Sequence, residues 1–300
     1  MQVINIWKRL ARSIKYIWKH PLVKDERLSA FVRYFYFHLS TRIKNQERII
    51  PFIQNTKIYL CRDLEGTATN YFTYLSDFNE MMFLLHILNP NDVFVDIGSN
   101  VGVWTLLASG VVGCKTIALE PASETYKKLE SHIILNDIAG KVNCSNIAVG
   151  AKDGFINISN GRGALNRVLL KDEKGVQVIQ KPLDSIVDNL IPSLIKIDVE
   201  GFENEVIKGG KEILLNPKLE GIIIELNGSS IKYGSSNDEI HSKICEFGFH
   251  PIKYDPFKRD IILLNQYNMQ SHNTIYIRGI NKIKKLLIDA PNYQIGKFIL

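Results

Sequence analysis

Val93-Phe94-Val95-Asp96-Ile97-Gly98-Ser99-Asn100-Val101-Gly102-Val103-Trp104-Thr105-Leu106-Leu107-Ala108 is the stretch that decides the fold. It opens on a continuous apolar run ending in an acid, the pattern of a parallel strand buried on both faces. The chain then turns over Gly98 to Gly102, and Val101, Trp104, Leu107 and Ala108 recur at helical spacing. Strand, glycine turn and helix make a small-molecule site in an open α/β sheet. The helix start offers free N–H groups, and glycine lets a ligand approach the backbone.

Spacing selects the ligand. A dinucleotide fingerprint needs Gly-x-Gly-x-x-Gly. Started at Gly98, that pattern puts Asn100 and Val103 where glycines should stand, so it fails. What remains is Asp-x-Gly-x-x-x-Gly. A carboxylate at a strand tip suits a cationic amino-acid end better than a pyrophosphate. One βα unit later, Thr116-Ile117-Ala118-Leu119-Glu120-Pro121 is a second apolar strand ending in an acid, placed to bind ribose hydroxyls. The expected ligand is S-adenosyl-L-methionine, held by Asp96, Gly98, Asn100, Gly102 and Glu120, with Ala148 beside adenine. The bland alternative is a doubly wound domain whose glycines only make turns.

Asp96-Ile-Gly-Ser-Asn-Val-Gly102, Leu119-Glu120-Pro121, Leu135-Asn136, Ala148-Val149-Gly150, Pro182-Leu183-Asp184-Ser185 and Ile195-Lys196-Ile197-Asp198-Val199-Glu200-Gly201-Phe202-Glu203 follow one another in order. In these segments the chain resembles the FkbM family of S-adenosylmethionine-dependent methyltransferases, from about Phe78 to about Glu225. The flanks Trp18-Lys19-His20-Pro21 and Asn273-Thr274-Ile275-Tyr276-Ile277-Arg278 are similar to a subset of that family. The resemblance implies a Rossmann-like class I methyltransferase sheet, mostly parallel with an antiparallel last strand, behind an N-terminal helical and β extension. It also implies O-methylation of a hydroxyl on a sugar, polyketide or other small metabolite, so the expected partner is a small-molecule or glycan acceptor. The expected organisation is an extension over 1–76, the methyltransferase domain over 77–280, and a C-terminal helix and tail over 281–300.

The 300 residues are 45% apolar, enough for one large α/β domain and an appendage. Four cysteines stand without a Cys-x-x-Cys pair, which fits reduced thiols and a cytoplasmic setting and speaks against structural zinc. No histidines stand at ligand spacing, and Met1 to His20 lacks the uninterrupted apolar stretch of a signal peptide. Residues 1–50 hold eleven Lys and Arg against three Asp and Glu, a net of +8 out of +6 for the whole chain. The other 250 residues are therefore at −2, which weakens a nucleic-acid reading for the catalytic domain, where a basic stripe should flank the cleft.

Residues 1–20 predict an amphipathic helix closed by Pro21, with Ile4, Trp7, Leu10, Ala11, Ile14 and Trp18 on one face and Lys8, Arg12, Lys15 and Lys19 opposite. That pattern suits peripheral contact with an anionic membrane. A helix docked on its own protein or on a partner fits as well and is the preferred reading. The aromatics of 28–43 (Phe31, Tyr34, Phe35, Phe37) with Leu39 predict a core helix or a lid. Residues 51–75 read as hairpins and loops, with Gly66-Thr67-Ala68-Thr69-Asn70 in a loop. Asp77-Phe78-Asn79-Glu80 predicts a capping box. The loop 161–167 offers Arg162 and Arg167 to an anionic substrate.

Methyl transfer to an alcohol needs alignment and a base for the acceptor's proton. Asp198, at the tip of the fourth strand, is the first candidate and Glu200 the second. Asp198 could instead hold the methionine amine. Asp198 and Glu200 also raise a cation site, but alternate strand residues face opposite ways and no third ligand is evident, so no metal is expected. Methylation of RNA or protein nitrogen is the alternative activity, and Asp198-Val199-Glu200-Gly201 lacks the Asn-Pro-Pro-Tyr type of signature that base amination uses. A non-catalytic scaffold is a third reading, and the intact Asp96, Gly98, Gly102 and Glu120 oppose it.

Overall fold

The computed structural model describes residues 2–43, 47–61, 65–161, 166–170, 173–187 and 190–300. Arg162 lies outside them. The chain divides into two compact units, Met1–Phe78 with Asn292–Leu300, and Asn79–Pro291.

In the first unit, α1 (Gln2–Lys19) ends just before Pro21, and α2 (Arg27–Ile43) follows. β1 (Arg48–Pro51) and β2 (Lys57–Leu60) pair antiparallel, and α3 (Glu65–Thr73) follows. Ile17, Val23, Ala30, Tyr34, Phe37, Leu60, Ala68 and Phe72 form its core. Two expectations fail here. The buried side of α1 is centred on Ile17, whereas Ile14 and Trp18 are exposed, so the helix sits rotated from the face its periodicity suggests. Residues 66–70 are helical, not a loop. Asn70 Nδ2 donates to Gly66 O and Thr73 Oγ1 to Thr69 O, while Ala68 and Phe72 pack inward, so tertiary burial overrides weak propensity.

The second unit begins at Asn79, within α4 (Phe78–Ile87). β3 (Val93–Ile97), β4 (Lys115–Leu119) and β5 (Val142–Ser145) follow, linked by α5 (Val103–Thr105, continuing as a π-helix to Val112) and α6 (Ser123–Leu135). β6 (Ala148–Val149), β7 (Gly154–Ile158) and β8 (Val176–Lys181) form a separate three-stranded sheet. The return to the main sheet runs through α7 (Leu183–Val187), β9 (Leu194–Ile197), α8 (Glu203–Lys208), α9 (Lys211–Leu215) and β10 (Gly221–Glu225). After α10 (Asn237–Glu246) come β11 (His250–Asp255), β12 (Asp260–Leu263), β13 (Asn273–Ile277) and α11 (Ile280–Asp289).

The main sheet has eight strands in the order β12-β11-β13-β10-β9-β3-β4-β5. The run β5-β4-β3-β9-β10 is parallel, and β13 inserts antiparallel between β10 and β11. This is the mostly parallel, Rossmann-like sheet with an antiparallel late strand that the resemblance implies. The order reverses between β3 and β9, so the crevice outside their C-terminal ends is where such a sheet takes a ligand. Val95, Ile97, Ile195, Ile197, Ile222 and Ile224 are fully enclosed in the core, as unbroken apolar strands require. All four cysteines are free thiols. Among the described residues no helix is long and apolar enough to cross a membrane.

Candidate active site

The turn after β3 is shaped by its neighbours. Gly98, Asn100 and Gly102 all have positive φ, at +73°, +50° and +88°. A Cβ on Gly98 would lie 1.8 Å from the carbonyl oxygen of Asp198, so the missing side chain is what lets β3 and β9 end side by side. Asn100 tolerates its left-handed conformation because its Oδ1 accepts the next N–H, that of Val101, at 2.7 Å.

Glu120 secures this turn from the tip of β4. Its Oε2 accepts the Asn100 N–H at 2.9 Å and its Oε1 the Ala122 N–H at 2.8 Å. Burial pushes the carboxyl up to about 7, against the pull of those two bonds. Each oxygen keeps a further lone pair for a hydroxyl donor. Pro121, Ile147, Ala148, Val149 and Ile158 continue from it as an apolar wall.

At the tip of β9, Lys196 is 3% exposed. Its Nζ lies 3.1 Å from Asp198 Oδ2 and 3.9 Å from Asp96 Oδ1, with the Trp104 ring centroid at 5.7 Å. Glu200 has φ +55°, and this left-handed turn brings it to the same side as Asp198 despite strand alternation. Glu225, from the end of β10, completes the group. Oxygens of Asp198, Glu200 and Glu225 all lie within 4.8 Å of one another. The third carboxylate that the sequence does not reveal is therefore present. Glu225 is drawn in because β10 pairs parallel with β9, residue against residue.

Crowded carboxylates share protons. Burial, followed by the Asp198 charge, pushes Glu200 up to about 7. Burial, then the charges of Asp198 and Glu200, pushes Glu225 up to about 9. With both carboxyls ionised, buried Glu225 Oε2 has no donor, and a proton shared between Glu225 and Asp198 supplies one. Three carboxylate oxygens are also hard ligands of the kind a divalent cation takes. Behind them, buried Glu203 accepts the Gly201 N–H at 2.9 Å and holds the turn closed.

Both groups face one cleft that is partly open to solvent. Gly98, Asn100, Glu120, Ala148, Asp198, Glu200 and Glu225 line it. Two residues expected at the ligand, Asp96 and Gly102, are not among those that line the cleft. Asp96 is 0% exposed and off the cleft, taken up by the Thr105 hydroxyl at 2.8 Å and by Lys196. Gly102 also stands off it, packed under Leu129, which a Cβ would meet at 2.5 Å. Arg167 lines the cleft, yet its guanidinium is committed to a two-bond pair with Glu173 at 2.6 and 3.0 Å.

The family model described as the methyltransferase FkbM domain matches residues 96–251, more than half the chain. The chain belongs to the FkbM methyltransferase family. This FkbM protein is 26% identical over 176 residues to the hexuronic acid methyltransferase AglP of Haloferax volcanii, covering 57% of this chain and 66% of that one. It is 26% identical over 180 residues to the methyltransferase sdnD of Sordaria araneosa, covering 47% of this chain and 69% of that one. The match thus spans about two thirds of either relative. A solved S-adenosylmethionine-dependent O-methyltransferase from Thermotoga maritima aligns over 68% of this chain and 65% of its own at TM-score 0.39 and 12% identity, too distant to inform the site. The FkbM segment runs from Asp96 through Glu120, Asp198, Glu200 and Glu225, so every acid of the cleft lies within it.

Proposed function

We propose that this methyltransferase uses S-adenosylmethionine to methylate a hydroxyl on a sugar or a related small metabolite. The observation that carries the reading is the division of one cleft. Glu120, at the tip of β4, stands on one side of β3, and the carboxylate group at the tips of β9 and β10 on the other.

The Glu120 side fits the nucleoside of the methyl donor. Glu120 has acceptor capacity for ribose hydroxyls, and the wall of Pro121, Ile147, Ala148 and Val149 suits a flat apolar base. The open turn at Gly98 and Asn100 follows β3, the strand that lies between β4 and β9. When bound, S-adenosylmethionine supplies an electrophilic methyl group on a sulfonium that carries its own leaving group.

The acceptor's hydroxyl must lose a proton. Glu200 is the base we assign, because a carboxyl pushed to about 7 is half ionised at working pH and accepts a proton readily. Asp198, fixed by Lys196, orients the hydroxyl, and Glu225, whose carboxyl burial pushes up to about 9, keeps its proton. An acceptor of the uronic-acid class is supported by the name of the Haloferax volcanii relative, and the net charge of −2 over residues 51–300 weakens a nucleic-acid acceptor.

Incubation with S-adenosylmethionine and a panel of glycosides and uronic acids tests this. The expected result is release of S-adenosylhomocysteine together with an acceptor heavier by one CH₂ at oxygen. Methylation of nucleoside or protein nitrogen in place of any hydroxyl would refute the acceptor class.

A further inference from the structure

The face of α2 turned away from the core of the first unit is as apolar as the face turned into it. At 100° per residue, Ala30, Tyr34, Phe37 and Thr41 fall within an arc of about 60° and are buried. Diametrically opposite, Leu28, Val32, Phe35 and Leu39 fall within another arc of about 60°. These four are 79%, 60%, 53% and 62% exposed. A helix apolar on two opposite faces needs two coverings, and the core supplies one.

α1 extends the exposed face. Trp18, 54% exposed, lies against Phe31 of α2 with ring centroids 6.4 Å apart, and Ile14 sits one turn before it. Charge surrounds this surface on the α1 side. Lys15 and Lys19 are exposed beside Trp18, Lys24 is exposed in the connection, and the Arg27 guanidinium lies 4.4 Å over the Trp18 ring. Between Met1 and Arg42 the only acids are Asp25 and Glu26, and Glu26 is held by Arg33 at 3.5 Å.

We propose that this two-helix surface seats the protein on an anionic lipid bilayer. Leu28, Val32, Phe35 and Leu39 enter the boundary between headgroups and acyl chains, Trp18 lies at headgroup level, and the lysines meet lipid phosphates. The charge pattern selects this occupant. A second copy pairing through the same face would bring two basic rims together with a single exposed acid on each, whereas an anionic surface complements the whole rim. Apolar area flanked by Lys and Trp is the composition of in-plane membrane helices.

Co-sedimentation of the full chain with vesicles tests the proposal. Vesicles of two parts phosphatidylcholine to one part phosphatidylglycerol should pellet it, neutral phosphatidylcholine vesicles should not, and raising salt from about 0.05 to about 0.5 M should weaken pelleting about tenfold. The variant Leu28→Asp/Phe35→Asp, altered only at exposed positions, should keep its melting temperature and lose pelleting. Brominated lipids should quench the tryptophan emission of the unaltered chain, a readout that needs no variant. Equal pelleting on neutral vesicles, retained pelleting by the variant, or no pelleting and no quenching each overturns the proposal. If pelleting is absent and Leu28→Asp/Phe35→Asp dissolves a dimer seen by sedimentation equilibrium, the face belongs to a second copy instead.

Discussion

Lys196 and Asp96 are register partners on adjacent parallel strands, and their charges meet 3.9 Å apart in the core beneath the cleft. Asp96 is wholly buried, with its Oδ1 accepting no hydrogen bond. Burial pushes its carboxyl up, and the Lys196 ammonium pulls it back. The same ammonium reaches Asp198 in the cleft, so one buried cation ties the base of the sheet to the reacting end of the site. Lys196→Met should therefore destabilise the protein by about 3–5 kcal/mol at pH 8, the usual result of leaving one member of a buried pair uncompensated. Adding Asp96→Asn should recover part of the loss in chemical denaturation. Additive losses in the double variant would show that the two side chains are not coupled.

Gly98 is fixed by packing. Even Gly98→Ala would drive its Cβ into the Asp198 carbonyl and force a left-handed residue with a side chain. We expect a loss of at least about 2 kcal/mol, with ligand binding weakened because the Asp198 tip must move. Unchanged melting and binding would mean that β3 and β9 do not end so close together.

Stability should fall as pH rises through the carboxyl cluster. Glu120, Glu200 and Glu203 are raised to about 7 and Glu225 to about 9. Above the ordinary value of 4.5 the unfolded chain loses these protons first, so the native state binds more of them and stability declines toward pH 9. Glu225→Gln keeps the shape without the charge. It should melt about 2–6 °C above the unaltered protein at pH 8.5, and near it at pH 5. A lower melting point at both values would show that Glu225 contributes as a carboxylate.

The sheet was legible because its strands are continuous apolar runs ending in acids. Val93–Ile97, Lys115–Leu119, Leu194–Ile197 and Gly221–Glu225 all stand where periodicity and turn residues put them. Gly98, Asn100, Glu120, Ala148, Asp198 and Glu200 come together in the cleft from four segments of sequence, three of them at strand tips that collect along one edge of the parallel sheet. What sequence could not show was lateral pairing. The reach of Lys196 to Asp96 and the arrival of Glu225 beside Asp198 depend on which strands are neighbours. The helix over Glu65–Thr73 and the exposed side of α2 depend on packing that local propensity does not encode.

The proton assignment separates two neighbouring acids. If Glu200 is the base, the rate should rise with pH through about 7, because its ionised form does the work. Glu200→Gln should then lower kcat by about 10²–10⁴ and flatten that limb. Asp198→Asn should lower the rate less and keep the limb. The reverse pattern would return the role to Asp198, the residue that strand position alone favours.

The central claim is that the cleft between β3, β4 and β9 holds the methyl donor by Glu120. Calorimetric titration with S-adenosylhomocysteine tests it most directly, on the unaltered chain and on Glu120→Ala, each checked for folding by its melting curve. We predict one-to-one binding to the unaltered chain. Affinity for a folded Glu120→Ala should be weaker by at least about tenfold, since each charge-assisted ribose bond contributes about 1.5–3 kcal/mol. Equal affinity in the two proteins, or no binding to either, would contradict the account.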